Sequence, residues 1–422
     1  MPELTLLRIF LFVLLVLSIV FYLKRGFKKI LTHFFPHSNN NDLLSLAIPI
    51  VIFSFPILSY LLRLIKPLRE TNFIYNLLYF SSVLGIFTGI LVAAFVFWDL
   101  LRILKRVFLF LIHLFRQSSP AAEIANQQLS IQPTFETNET DAFSKSRRDF
   151  LLKSVPASAS LFFPSVITGY SLFNNRTNYN INRMTLHFPN LPAELRGLKI
   201  AQVSDIHSGV YMPQHKMEEI TETVNSLSPD LVTLTGDFIA GEYSEIQPFV
   251  NGFKNLKSTY GTFSCPGNHD EWLDIKAITA AMNQKNLNLL QNEFQTLVID
   301  GAPLHVIGMD FDSPRIKNFD EATQKLPSEG FQLLLCHHPD FFETAKKRNI
   351  DLMLAGHTHG GQLALDFPGL EIYPIDLFYK YPRGLYEEIH HKSQKLYVNL
   401  GIGITGTPLR TVQAEVALIT LA

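Results

Sequence analysis

Five short apolar runs between residues 200 and 354 each lead into an acid, an amide or an imidazole, and that repetition limits the fold more than any other feature. The run 200–203 leads into Ser204-Asp205-Ile206-His207, and 231–234 into Thr235-Gly236-Asp237. The run 261–264 precedes Pro266-Gly267-Asn268-His269-Asp270, and 331–335 precedes Cys336-His337-His338-Pro339-Asp340. The last, 352–354, continues as Ala355-Gly356-His357-Thr358-His359-Gly360-Gly361-Gln362. Singly, such residues are caps, turns and loop histidines. Together they place Asp, Asn and His at the C-terminal ends of successive strands, where α/β folds gather their sites, and metal is the common partner of such groups.

From Met184 onward short runs alternate with helix-like stretches. Strands are expected over 198–203, 231–234, 261–264, 305–307, 331–335, 352–354, 396–398 and 416–421, and helices over 216–227, 274–282 and 340–348. That alternation reads as an α/β domain over 184–422. The two cysteines, Cys265 and Cys336, each sit on an apolar run and read as buried thiols. A net charge of −1 supplies no basic field for nucleic acid.

The chain has 422 residues, enough for a membrane segment and one large domain. Three runs, about 4–23, 43–62 and 77–98, have the length and apolar character of bilayer spans, so 1–116 reads as a transmembrane helical region. A polar stretch, 117–145, reads as a linker. Ser146-Arg147-Arg148-Asp149-Phe150-Leu151-Leu152-Lys153 then opens a twin-arginine-like signal, and the uncharged run up to 173 is expected to remain as a fourth span. Lys24, Arg25, Lys28 and Lys29 follow the first run, and Arg102, Lys105, Arg106 and Arg116 follow the third. Basic flanks stay cytoplasmic, which leaves the N-terminus outside and the paired arginines inside, where the twin-arginine translocase reads them. The expectation is a multi-pass protein of the cytoplasmic membrane, its catalytic domain on the outer, periplasmic or extracellular, face.

The ordered set Asp-x-His, Gly-Asp, Gly-Asn-His-Asp, His and Gly-His-x-His resembles the calcineurin-like metallophosphoesterases. The longer Gly356-His357-Thr358-His359-Gly360-Gly361-Gln362 is similar to their membrane-associated branch, typified by the YkuE and YaeI phosphoesterases. Tyr381-Pro382-Arg383-Gly384-Leu385-Tyr386 and Asn399-Leu400-Gly401-Ile402-Gly403 are similar to that branch too. The resemblance covers 184–422 and implies a four-layer αββα sandwich with a two-metal centre at one edge. Asp205, His207, Asp237 and His359 would hold one divalent ion, and Asp237, Asn268, His337 and His357 the other, with Asp237 bridging. Mixed nitrogen and oxygen ligands suit manganese, iron or zinc. His269 would face the substrate as general acid, with Asp270 as partner of its ring, and Arg383 is a candidate phosphate clamp. His338 could also reach a metal, though a place beside the ligands is preferred.

The implied function is hydrolysis of a phosphate monoester or diester, lipid-linked or from the cell envelope, by an enzyme anchored in the membrane. Two alternatives stand beside it. One is a cytoplasm-facing UDP-2,3-diacylglucosamine pyrophosphohydrolase of lipid A synthesis. The other is a membrane sensor or scaffold without turnover.

Overall fold

In the computed structural model the central strands of the C-terminal unit bury both faces, as near-continuous apolar runs in parallel sheets do. The described residues are 19–32, 40–50, 87–88, 91–92, 95–110, 112, 162, 165, 178–311, 316–348, 350–367, 370–388, 394–406 and 410–422. The chain divides into two units, Met1–Gly169 and Tyr170–Ala422.

In the second unit the strands are β1 (Tyr179–Leu186), β2 (Lys199–Val203), β3 (Leu231–Thr235), β4 (Thr262–Cys265), β5 (Leu287–Leu289), β6 (Glu293–Ile299) and β7 (Ala302–Gly308). They continue as β8 (Phe331–Leu335), β9 (Leu352–Ala355), β10 (Leu365–Phe367), β11 (Leu370–Ile372), β12 (Gly384–Glu388), β13 (Gln394–Val398) and β14 (Ala414–Leu421). One six-stranded sheet runs β1-β14-β2-β3-β4-β5, the other β12-β13-β9-β8-β7-β6, and β10 pairs with β11. Within the first, β2, β3, β4 and β5 are parallel and β14 is antiparallel to β2. Within the second, β7, β8, β9 and β13 are parallel, with antiparallel β6 and β12 at the edges.

Alternation along each strand assigns the layers. Ile200 and Leu231 from one sheet and Leu333, Leu335, Leu352 and Leu354 from the other share one core between the sheets. Their neighbours Ala201, Val203, Val232 and Leu234 face outward, onto the helices Gln214–Ser226, Ile246–Phe253 and Ile275–Asn283. Leu334 and Met353 likewise face Phe319 and Phe342, from the helices Ile316–Thr323 and Phe342–Ala345. The order is helix, sheet, sheet, helix. Gln202 ties the sheets at the upper end, its Nε2 donating to Ala355 O at 2.9 Å. The first strand starts at Tyr179, ahead of the boundary expected at Met184, because its polar alternation carries no apolar run to mark it. The stretch expected as one helix over 340–348 forms three short turns instead, Pro339–Phe341, Phe342–Ala345 and Lys346–Arg348.

In the first unit Leu23, Phe27 and Leu91 are buried together, with Phe27 edge-on to Phe95 at 6.3 Å. Among the described residues no helix is long and apolar enough to cross a membrane. Most of the runs 4–23, 43–62 and 77–98, and all but two residues of 113–177, lie outside the described residues, the linker and the twin-arginine-like signal included. Residues 95–110 are helical, so that helix runs past the expected end of the third span at 98.

Candidate metal centre

Asp205, Asp237 and Asn268 follow β2, β3 and β4 of one sheet, while His337 and the pair His357 and His359 follow β8 and β9 of the other. Five of these ligand positions leave their strands in the left-handed backbone region: Asp205, His207, Asp237, His357 and His359, with φ of 54°, 48°, 54°, 73° and 51°. Such a φ is uncommon outside glycine and costs about 1–3 kcal/mol per residue, so a run of them marks a backbone held for a purpose.

Three overlapping groups of ligand atoms result, Asp205 with His207 and His359, Asp237 with His207 and His269, and Asp237 with His337 and His357; within each, the atoms lie within 4.8 Å of one another. His207 Nε2 stands 3.1 Å from His359 Nε2 and 3.5 Å from Asp237 Oδ2. His359 Nε2 is 3.3 Å from Asp205 Oδ1, and His337 Nε2 is 3.4 Å from Asp237 Oδ2. Asp237 is shared by two of these groups and meets the third through His207. Asn268 Oδ1 and His337 Nε2 are buried with no hydrogen-bond partner, which buried polar atoms rarely tolerate. Cations at these points would satisfy both, so the side chains present fit divalent metal.

Hydrogen bonds fix which nitrogen each ring offers. His337 Nδ1 donates to Thr235 O at 2.7 Å, so Nε2 is the nitrogen left to face a cation, once its proton is displaced. His357 Nε2 meets the Tyr379 hydroxyl at 3.0 Å, which leaves Nδ1 toward the centre when Nε2 donates. His269 Nδ1 donates to Ala240 O at 2.8 Å, freeing Nε2, and its ring lies 4.7 Å from that of His207. Asp205 accepts from Ser204 Oγ at 2.6 Å and from His357 N at 2.9 Å, so the loop after β9 holds the ligand after β2. Glycine lets these loops close. A Cβ on Gly356 would stand 2.0 Å from Ser204 Oγ, and one on Gly267 2.2 Å from Asp237 Oδ1.

The segment 198–361 matches the family model for the calcineurin-like phosphoesterase domain. An uncharacterized metallophosphoesterase of Helicobacter pylori is 30% identical over 297 residues, spanning 66% of this chain and 75% of that protein. The chain belongs to the calcineurin-like metallophosphoesterases. This metallophosphoesterase is a metal-dependent phosphoric ester hydrolase. It is also similar to YkuE of Bacillus subtilis, at 29% identity over 60% of this chain and 89% of that one. A protein of Danio rerio named as a transmembrane protein with a metallophosphoesterase domain is 27% identical over 62% of each chain.

Electrostatics in the metallophosphoesterase centre favour ligands over cations. Burial pushes His207 down to about 4 and His357 to about 3, and holds His359 well below its ordinary value, so these rings stay neutral with a lone pair to give. Burial works against the Asp237 carboxylate, yet His337, His207 and His269 outweigh it and hold its pKa below the usual range. Burial also opposes a charge on His337, but Asp237 and Asp205 outweigh it and raise that ring to about 10. Burial raises Asp205 to about 6. These groups would give a bound dication the place that the His337 proton holds in the metal-free protein.

Two expected positions stand differently. Asp270 does not touch the His269 ring. As the third residue of the helix Asn268–Leu273 it turns back to cap it, accepting from Gly267 N at 2.8 Å and from Phe238 N at 2.9 Å. Arg383 is ion-paired to Asp376 and lies 3.5 Å over the Tyr373 ring. His338 takes the preferred place beside the ligands, stacked on His357 at 5.0 Å and accepting from Asp340 N, outside all three ligand groups. Tyr379 was not expected at all. It comes from the turn region before β12, where no periodicity or motif marks it.

Proposed function

We propose that this chain is a membrane-anchored, two-metal phosphoesterase that cleaves a phosphate ester of a lipid or of the cell envelope. The observation that carries the reading is the convergence of Asp205, His207, His337, His357 and His359, from both sheets, about Asp237, with Asn268 Oδ1 and His337 Nε2 buried and lacking partners. Asp205, His207, Asp237 and His359 would hold one ion, and Asp237, Asn268, His337 and His357 the other. Manganese, iron or zinc bound there would lower the pKa of a water and draw charge from the phosphoryl oxygens. The chain's own groups do the rest. His269, anchored through Nδ1 and half exposed at the edge of the cluster, presents Nε2 to protonate the leaving oxygen. Asp270 keeps the 237–239 and 267–270 loops in register, so that His269 N can donate to Asp237 Oδ1 at 2.9 Å.

Anchoring is supported by the three apolar runs of the sequence and by relatives whose names describe transmembrane proteins. The paired arginines at 147–148 support an outer-face domain. The full chain, purified in detergent with manganese, is expected to hydrolyse bis-p-nitrophenyl phosphate, and Asp237→Asn to lose both metal and activity. Undiminished turnover by that variant sinks the two-metal reading. Alkaline phosphatase fused after Ala422 is expected to be active in cells, and an inactive fusion reverses the orientation.

A further inference from the structure

Apolar side chains that the fold leaves uncovered lie beside the metal centre. Leu377 and Phe378 are 85% and 76% exposed, at the end of the turn Pro374–Leu377. That turn packs against His359–Gly361, with Ile375 beside Gly361, and the following Tyr379 reaches His357. Beside His269 stands Trp272, 70% exposed, its ring 5.1 Å from the imidazole. Leu377 and Phe378 therefore sit within two residues of Tyr379, which touches His357, and Trp272 lies against His269. Isolated exposed leucines are ordinary, but two aromatics and a leucine grouped at a polar catalytic cluster are not.

We infer that Leu377, Phe378 and Trp272 form a docking rim that seats in a lipid surface, delivering the phosphate of a membrane lipid to the metal centre. The inference rests on the phosphoesterase reading above. Magnitude favours a bilayer over a protein partner. Three such side chains offer about 500 Å² at most, against the roughly 800 Å² each partner gives to a stable protein interface, while a few apolar groups suffice for shallow insertion at the headgroup boundary. The sequence supplies the lipid surface, through its three apolar runs. With 154–173 expected as a fourth span, only 174–178 join the bilayer to β1, a tether of about 17 Å when extended that keeps the domain at the membrane surface.

The test uses the full chain in vesicles of phosphatidylethanolamine and phosphatidylglycerol. Both native cysteines are buried, so a Phe378→Cys variant takes an environment-sensitive nitrobenzoxadiazole label at that position alone. Doxyl-labelled lipid is expected to quench this label several-fold more than one placed by Ser328→Cys, an exposed position ahead of β8. Equal quenching at the two positions, or a label shielded from doxyl lipid by another part of the chain or a second copy, overturns the rim. In parallel, Leu377→Ser with Phe378→Ser is expected to lower kcat/KM about tenfold on hexadecyl p-nitrophenyl phosphate held in the vesicles, and to leave soluble bis-p-nitrophenyl phosphate within about twofold. Equal effects on the two esters count against the rim. Absence of hydrolysis by the unsubstituted chain would instead refute the phosphoesterase reading, and the quenching result still decides the rim.

Discussion

Replacing Gly356 by alanine tests whether the two sheets really close on each other through Asp205. The added Cβ would stand 2.0 Å from Ser204 Oγ and 2.2 Å from Asp205 Oδ2, well short of the 3.4 Å at which ordinary contact begins. Ser204 can rotate away only by giving up its 2.6 Å bond to Asp205. Asp205 can retreat only by losing the His357 N–H, or by leaving His359 Nε2 at 3.3 Å. Overpacking costs about 1–3 kcal/mol, and a broken charged hydrogen bond about 1.5–3 kcal/mol more. The expected loss of stability is therefore about 3 kcal/mol, and displacing a ligand by about 1 Å should weaken metal binding about a hundredfold. Gly197→Ala is the control, since its φ of +87° strains an alanine but no atom lies within 4 Å of the new methyl. It should cost about 1 kcal/mol and leave metal binding unchanged. Calorimetric titration of the metal-free chain with manganese, with thermal unfolding alongside, separates the two variants. Wild-type manganese affinity in Gly356→Ala would refute this account of the loop closure.

Further outcomes follow from the same geometry. Tyr379→Phe removes the hydroxyl that holds His357 Nε2 and should weaken metal binding about 10–100-fold with little change in unfolding temperature; unchanged affinity removes Tyr379 from the site. Because the carboxylates raise His337 to about 10 in the metal-free protein, metal must displace its proton, so affinity should increase from pH 6 to 8 with protons released to buffer. A pH-independent affinity over that range contradicts this. By the same linkage the His337 contribution to metal-free stability is complete below its unfolded pKa, near 6.5, and fades as pH rises toward 10, which unfolding midpoints at a series of pH values check. Burial raises Cys336 to about 12 and Cys265 well above its ordinary value, so neither thiol should react with iodoacetamide until the domain unfolds.

The strand-end groups were readable because each is announced by its own apolar run, and the parallel strands then deliver their ends to one edge. That is why Asp205, Asp237, His337 and His359, far apart in sequence, could be named together. What depended on side-chain direction was not readable. Asp270 adjoins His269 in sequence, yet the first turn of a helix sends it back to Gly267 N and Phe238 N. Arg383 has the chemistry of a phosphate clamp, but Asp376 and Tyr373 from its own loop engage it first. Helix Ile246–Phe253 was missed because Pro248 and Gly252 interrupt its pattern, although proline is tolerated in a first helical turn. β1 was missed for the opposite reason, its polar residues alternating without a run.

Asp205, His207, Asp237 and Asn268 belong to one sheet, whereas His337, His357 and His359 belong to the other. Cations bound between them would act as rivets through that end of the sandwich, beside the hydrogen bonds from Gln202 to Ala355 and from His357 to Asp205. Every tenfold rise in free metal above saturation adds about 1.4 kcal/mol to the folded state. A chelator should therefore lower the unfolding temperature as well as stop turnover, and cells starved of the metal should accumulate a laxer, more protease-sensitive chain.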